Sequence, residues 1–127
     1  MDLVHNKSDD SNKRQFSFTG KHHEIAKNYV IKDDNVIIAG ITSCFYLEEV
    51  LFVGVLFVDG NYRHKRLGST LLKQVEDEAK AMGGKLAHLD TFDFQALDFY
   101  LKHGYEIFGV LEDCSKDHKR YYLKKGL

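Results

Sequence analysis

The sequence has no proline and only two cysteines, Cys44 and Cys114, in 127 residues. No functional reading follows from the missing proline. Two isolated cysteines form neither a dense disulfide framework nor a metal-ligand spacing, so no metal is expected. A basic excess is also lacking. Lys and Arg number 18 against 19 Asp and Glu, a formal net charge of −1, which argues against a general nucleic-acid binder. No apolar run approaches the ~20 residues of a membrane span. The first residues, MDLVH, lack the basic and apolar regions of a signal peptide. The cytoplasm is the expected compartment, with no membrane partner.

What is present is the composition of an ordinary folded domain: 43% apolar, 29% charged and 13% aromatic residues, enough for a real core. No repeat or linker divides the chain, so residues 1–127 are expected to form one domain. Residues 1–14 are polar and read as loose, or as a short first strand at 2–6 followed by a loop. Phe16 and Phe18 alternate with polar neighbours, as in a short strand or turn. His22, His23 and Glu24 are metal-ligating types, but adjacent strand histidines point to opposite faces, which favours a strand start over a metal site.

Residues 24–31 and 36–45 read as an antiparallel hairpin around the polar turn 32–35. Residues 50–58, VLFVGVLFV, are apolar at nearly every position and read as a central strand buried on both faces. Gly54 within them suggests a bulge or a close approach. Leu67, Leu71, Leu72, Val75, Ala79 and Met82 form one apolar stripe, predicting a helix over 67–82 that Gly83 and Gly84 stop. A strand over 85–91 completes a βαβ unit, so its two strands are expected to be parallel. A short helix over 93–103, a strand over 105–111, a polar loop over 112–118 and a last, edge strand over 119–124 follow.

The stretch that organises the rest is 55–70, VLFVDGNYRHKRLGST. A strand runs into the turn Asp59-Gly60-Asn61, then Arg63, His64, Lys65 and Arg66, then Leu67-Gly68-Ser69 at a helix start. The first helical N–H groups lack intrahelical acceptors and carry the positive end of the helix dipole, so such a bend is suited to a diphosphate. The same basic run also reads as a solvated helix start.

Residues 63–68, with Arg66 at the first glycine position, resemble the Arg/Gln-x-x-Gly-x-Gly/Ala motif of the GNAT (Gcn5-related) N-acetyltransferases. Arg66 is expected to fit there with negative φ. Downstream, Asp93, Ala96, Phe99, Tyr100, Lys102, Gly104 and Tyr105 resemble the family's Asn-x-x-Ala-x-x-Φ-Tyr-x-Lys-x-Gly-Φ signature, Φ being apolar or aromatic and Asp93 replacing Asn. The likeness covers about residues 30–127, with the family's two N-terminal helices shortened or missing. It implies a layered α/β fold. Its mixed, mostly antiparallel sheet has a parallel pair at the βαβ motif and helices on both faces.

The resemblance also implies acetyl-CoA as cosubstrate. The backbone of Leu56, Phe57 and Val58 would pair with the pantetheine arm. The N–H groups from His64 to Ser69, through Lys65, Arg66, Leu67 and Gly68, would hold the pyrophosphate, and Arg63 and Asp93 belong to the same expected set. Tyr100 matches the family's general acid, though it also reads as a buried core aromatic. Glu49 is assigned weakly as general base, with Glu48, Asp90 and His118 as other candidates; the usual base positions hold Phe52 and Gly54. Neither cysteine has a matched His–acid pair, so direct transfer is expected rather than a ping-pong route. The expected function is N-acetyl transfer to a primary amine of a small molecule or peptide, with an inactive acyl-CoA-binding sensor or scaffold as the alternative. A homodimer is expected.

Overall fold

Alternating apolar residues build a single eight-stranded sheet in the computed structural model, which describes residues 2–5, 24–93 and 95–127. The strands are β1 (Asp2–His5), β2 (Ile25–Ala26), β3 (Tyr29–Asp33), β4 (Val36–Tyr46), β5 (Val50–Val58), β6 (Leu86–Phe92), β7 (Glu106–Ser115) and β8 (His118–Gly126). The helices are α1 (Leu67–Ala81) and α2 (Leu97–Lys102). Strand order is β1-β3-β4-β5-β6-β8-β7, with β2 also on β4. All pairings are antiparallel except β5 with β6, which are parallel as the βαβ pattern required.

Several expectations shift in detail. The expected strand over 24–31 is broken at Lys27 and Asn28, because the Asn28 side chain accepts from Ser43 N at 3.0 Å in place of a ladder bond. The hairpin turn narrows to Asp34 and Asn35, both at positive φ (50° and 67°), the geometry that matches strand twist in a two-residue turn. The first helix ends at Ala81, and Met82 is exposed instead of joining the stripe. The second is only Leu97–Lys102; just before it the Gln95 side chain accepts from Phe92 N at 3.0 Å, a local bond that competes with the helix. The expected polar loop 112–118 is a hairpin end: β7 runs to Ser115, Lys116 and Asp117 turn with φ of 47° and 66°, and β8 begins at His118. β8 is interior, and β7 takes the edge. Phe16, Phe18, His22, His23 and the family's N-terminal helical region lie outside the described residues.

The core lies between α1 and one sheet face. Leu71, Leu72 and Val75 are fully buried against Phe45, Leu51, Val53, Ala87, Leu89 and Leu123, each worth about 1.5–3 kcal/mol in burial. Alternation then sends Cys44, Tyr46, Phe52, His88 and Asp90 to the opposite face.

Candidate active site

β5 and β6 share only three pairs, Val50–Leu86, Leu51–Ala87 and Phe52–His88. Beyond them β6 is paired by β8 and β5 by β4, so a fork opens from Phe52 and His88. The β5 edge from Val53 to Val58 that faces the fork has no strand partner among the described residues. β5 is not buried on both faces as expected: past the bulge Leu56 and Val58 pack on the core, while Val55 is 60% and Phe57 45% exposed on the opposite face.

Gly54 lies in the predicted bulge. Between Ile41–Leu56 and Ser43–Val53, β5 carries one residue more than β4, and Val55 N donates to Thr42 Oγ1 at 2.8 Å. A Cβ on Gly54 would lie 2.6 Å from that oxygen, so only glycine leaves the Thr42 hydroxyl in place. The extra residue inverts the alternation. Val53 faces α1 before the bulge, whereas Leu56 and Val58 pack on the core after it.

At the open end, Asp59 caps a single 3₁₀ turn, Gly60–Tyr62, by accepting from Asn61 N at 2.9 Å. Tyr62 Oη donates to Asp33 Oδ2 at 2.7 Å and ties the turn to β3. Arg63, His64, Lys65 and Arg66 are exposed. His64 and Arg66 take φ of 72° and 60°, which corrects the expectation of a negative φ at Arg66. The bend into α1 needs a left-handed residue there, and an Arg pays about 1–2 kcal/mol for it. Thr70 N to Arg66 O, at 3.0 Å, is the helix's entering bond. The N–H groups of Arg66, Leu67, Gly68 and Ser69 therefore precede the helical ladder and point out of its positive end.

α2 is pinned beside this end. The Phe99 ring would lie 3.4 Å from a Cβ on Gly68. His103 bridges Phe99 O (Nδ1, 2.7 Å) and Ser69 Oγ (Nε2, 2.8 Å); since a carbonyl only accepts, Nδ1 carries the proton. The Ser69 hydroxyl is thus occupied, leaving its N–H for a ligand. Tyr100, one helical step from Phe99, is buried, with its ring 5.7 Å from Tyr105. Burial, with the Asp90 charge adding to it, pushes its phenol up to about 12.

Other expected residues lie elsewhere. Glu49 precedes β5 and pairs with Lys85 at 3.6 Å, at the end of the strand away from the basic bend. Eight strand steps of ~3.3 Å separate Val50 from Val58, so Glu49 lies at the opposite end of β5 from the bend. Asp93 accepts from Lys119 N at 3.1 Å and lies 3.0 Å from His118 Nδ1, which turns it toward the start of β8. Asp90 Oδ1 is held by Arg120 Nε and Nη2 at 3.0 and 2.8 Å. Burial pushes the Cys44 thiol up to about 12, leaving little thiolate for a ping-pong route. The Cys114 side chain is outside the described residues.

One residue at the fork escaped the sequence reading. His88 Nε2 is 2.7 Å from Tyr46 Oη, and its ring centroid is 5.1 Å from that of Phe52. Burial lowers its pKa, opposed by the Asp90 charge. The available signal was its spacing from Asp90, two residues apart and hence on one strand face, but only the β5–β6 register locates that face at the fork.

The acetyltransferase (GNAT) family model matches residues 2–105. The chain belongs to that family. An acetyltransferase of Agrobacterium fabrum is 30% identical over 93 residues, 73% of this chain and 67% of that protein. Blasticidin-S acetyltransferase of Streptomyces morookaense is 33% identical over 61% of this chain and 57% of its own length. Among solved structures, an acetyltransferase from Bacillus cereus superposes with a TM-score of 0.76 at 39% identity, covering 84% of this chain and 75% of that one. An aminoglycoside 6′-N-acetyltransferase complexed with coenzyme A matches the fold with a TM-score of 0.74 at 16% identity, over 99% of this chain and 97% of its own. The layered GNAT fold, with its mostly antiparallel sheet and one parallel pair, is therefore the fold of this chain.

Proposed function

We propose that residues 1–127 act as one N-acetyltransferase domain in the cytoplasm, moving the acetyl group of acetyl-CoA directly to a primary amine. The observation that carries this reading is the unpaired β5 edge at the fork, running straight into a basic bend at a helix start. The backbone of Leu56, Phe57 and Val58 offers strand-like bonds to the amides of the pantetheine arm. The N–H groups from His64 to Ser69 hold the pyrophosphate, and Arg63, Lys65 and Arg66 add attraction for its charge. Asp93 belongs to the same site through the start of β8, which its side chain holds. Bound acetyl-CoA supplies the thioester.

In the transfer, the C–N bond forms, the C–S bond breaks, the ammonium loses its excess protons and the thiolate gains one. Tyr100 is the group for the sulfur. A phenol near 12 stays protonated at neutral pH, but full transfer to a thiol of pKa ~8.5 is uphill by about 5 kcal/mol. Tyr100 therefore donates a hydrogen bond to the departing sulfur, a narrower role than outright general acid.

The test measures thiol release from acetyl-CoA with polyamines, aminoglycosides, amino acids, peptides and blasticidin S, the last chosen from a relative's name. Tyr100→Phe should lower kcat by about 10²-fold. CoA binding without thiol release above the Tyr100→Phe level, across the panel, would leave the acyl-CoA sensor. A burst of CoA without acceptor would refute direct transfer. The reading includes a homodimer, favoured by Ile107, Phe108, Val110 and Leu111 exposed on edge strand β7; a monomeric mass by light scattering refutes it.

A further inference from the structure

We infer that His88, seated by Tyr46 where β5 and β6 part, takes the proton from the attacking amine. The inference rests on the acetyltransferase reading and supplies the base that Glu49 does not. Position is the first argument. Phe52–His88 is the last pair before the fork, and the bulge at Gly54 and Val55 begins within two residues of Phe52 on the neighbouring strand. A thioester lying along the free β5 edge from the bend toward the bulge would end beside the His88 ring.

The second argument is what surrounds the ring. Tyr46 from β4 meets Nε2 at 2.7 Å, and Phe52 from β5 packs on its face. In the tautomer in which Nε2–H donates to Tyr46 Oη, the Nδ1 lone pair accepts a proton. The charged and titratable groups around this ring are Tyr46 and Cys44 from β4, Glu24, whose charge acts on both of them, Asp90 from β6 itself and Lys124, its register partner on β8. The Asp90 charge opposes the effect of burial on the imidazole and adds to it on the Tyr100 phenol. Burial holds the imidazole below its ordinary range, so it is unprotonated at neutral pH and competent as a base.

The proton accounting is complete without a co-reactant. The ammonium gives its first proton to solvent before attack, and its second passes to His88 Nδ1 as the C–N bond forms and the C–S bond breaks. The thiolate, hydrogen-bonded by Tyr100, takes one proton from solvent, and His88 returns its own to solvent after CoA departs. Tyr46 is a positioning residue that holds the ring through Nε2 and does not touch the amine.

The test compares pH profiles of kcat/KM for wild type, His88→Gln and Tyr46→Phe, with CoA affinity measured in each by calorimetry. The wild type should show an acid limb with an apparent pKa below the ordinary ~6.5 of histidine. His88→Gln should lose that limb and about 10²-fold in kcat, with CoA affinity and KM for acetyl-CoA unchanged. Tyr46→Phe should keep the limb but shift its midpoint. A His88→Gln enzyme retaining the wild-type kcat and limb overturns the assignment while leaving the acetyltransferase reading intact. A wild type inert toward every amine sinks that reading, and the base with it. If His88→Gln no longer binds CoA, Tyr46→Phe decides: an unmoved acid limb overturns the dyad, and a moved one supports it.

Discussion

Arg66 stands where the bend into α1 requires a left-handed residue, and it holds φ of 60° with no side-chain cap. Replacement by Gly removes about 1–2 kcal/mol of strain and adds about 0.5–1 kcal/mol of unfolded-chain entropy. Arg66→Gly should therefore stabilise the fold by about 0.5–1 kcal/mol, read as a higher urea midpoint, while weakening CoA binding at low salt. A buried hydroxyl makes the opposite case. Tyr105 Oη donates to Glu76 at 2.7 Å, and Lys125 meets the same carboxylate at 2.9 Å. Losing a bond to a charged group costs about 1.5–3 kcal/mol, and Tyr105→Phe should lower urea stability by that amount without changing CoA affinity. At this scale the sequence singled out Tyr100, Gly68 and the basic run, which the structure sets on α2, at the start of α1 and in the bend before it. It could not give the sign of φ at Arg66, because the bend through His64 decides it. Nor could it pair His88 with Tyr46, whose contact crosses three strands.

Strand β5 shows what an element's own pattern reveals and hides. Nine residues that are nearly all apolar read as a strand enclosed on both sides, and Gly54 was legible as a bulge. The exposed second half was not, because which face of β5 meets the core is decided by its packing on other elements. Gly54→Ala would place its Cβ on the Thr42 hydroxyl and release Val55 N. The expected result is about 1 kcal/mol of lost stability and roughly tenfold weaker CoA binding by calorimetry, since the free edge loses its set. The β7–β8 hairpin carries the converse lesson. Its polar tip looked like a loop, because exposed strand ends and loops share composition. The αL pair Lys116–Asp117 shows it to be a tight turn.

For the molecule as a whole, burial of phenols sets an alkaline limit. Tyr29 and Tyr100 are raised to about 12, and Tyr105 is raised further, all chiefly by burial. A folded pKa above the ordinary 10.0 means that ionisation favours the unfolded chain. Stability from these groups should be complete below pH 10 and fall between pH 10 and 12, with Cys44 starting the decline from about pH 9. Urea midpoints at pH 8, 10 and 11 check this; a flat series would refute it. With a net charge of −1, the proposed attraction for CoA rests on the local cluster at the bend. Affinity should thus fall as salt rises from 50 to 500 mM, roughly the range over which the screening length shrinks below 10 Å. Lys65→Ala should flatten that slope. Among the described residues no helix is long and apolar enough to cross a membrane.

The sequence by itself determined the strands, the α1 stripe, the βαβ handoff and the signature residues of the family, because alternation, helical spacing and glycine stops are local properties. Only the tertiary structure decided where β5 and β6 separate, that Glu49 lies at the far end and that His88 lies at the fork. Those facts depend on register between strands distant in the chain, and a shift of one residue would turn every side chain to the other face.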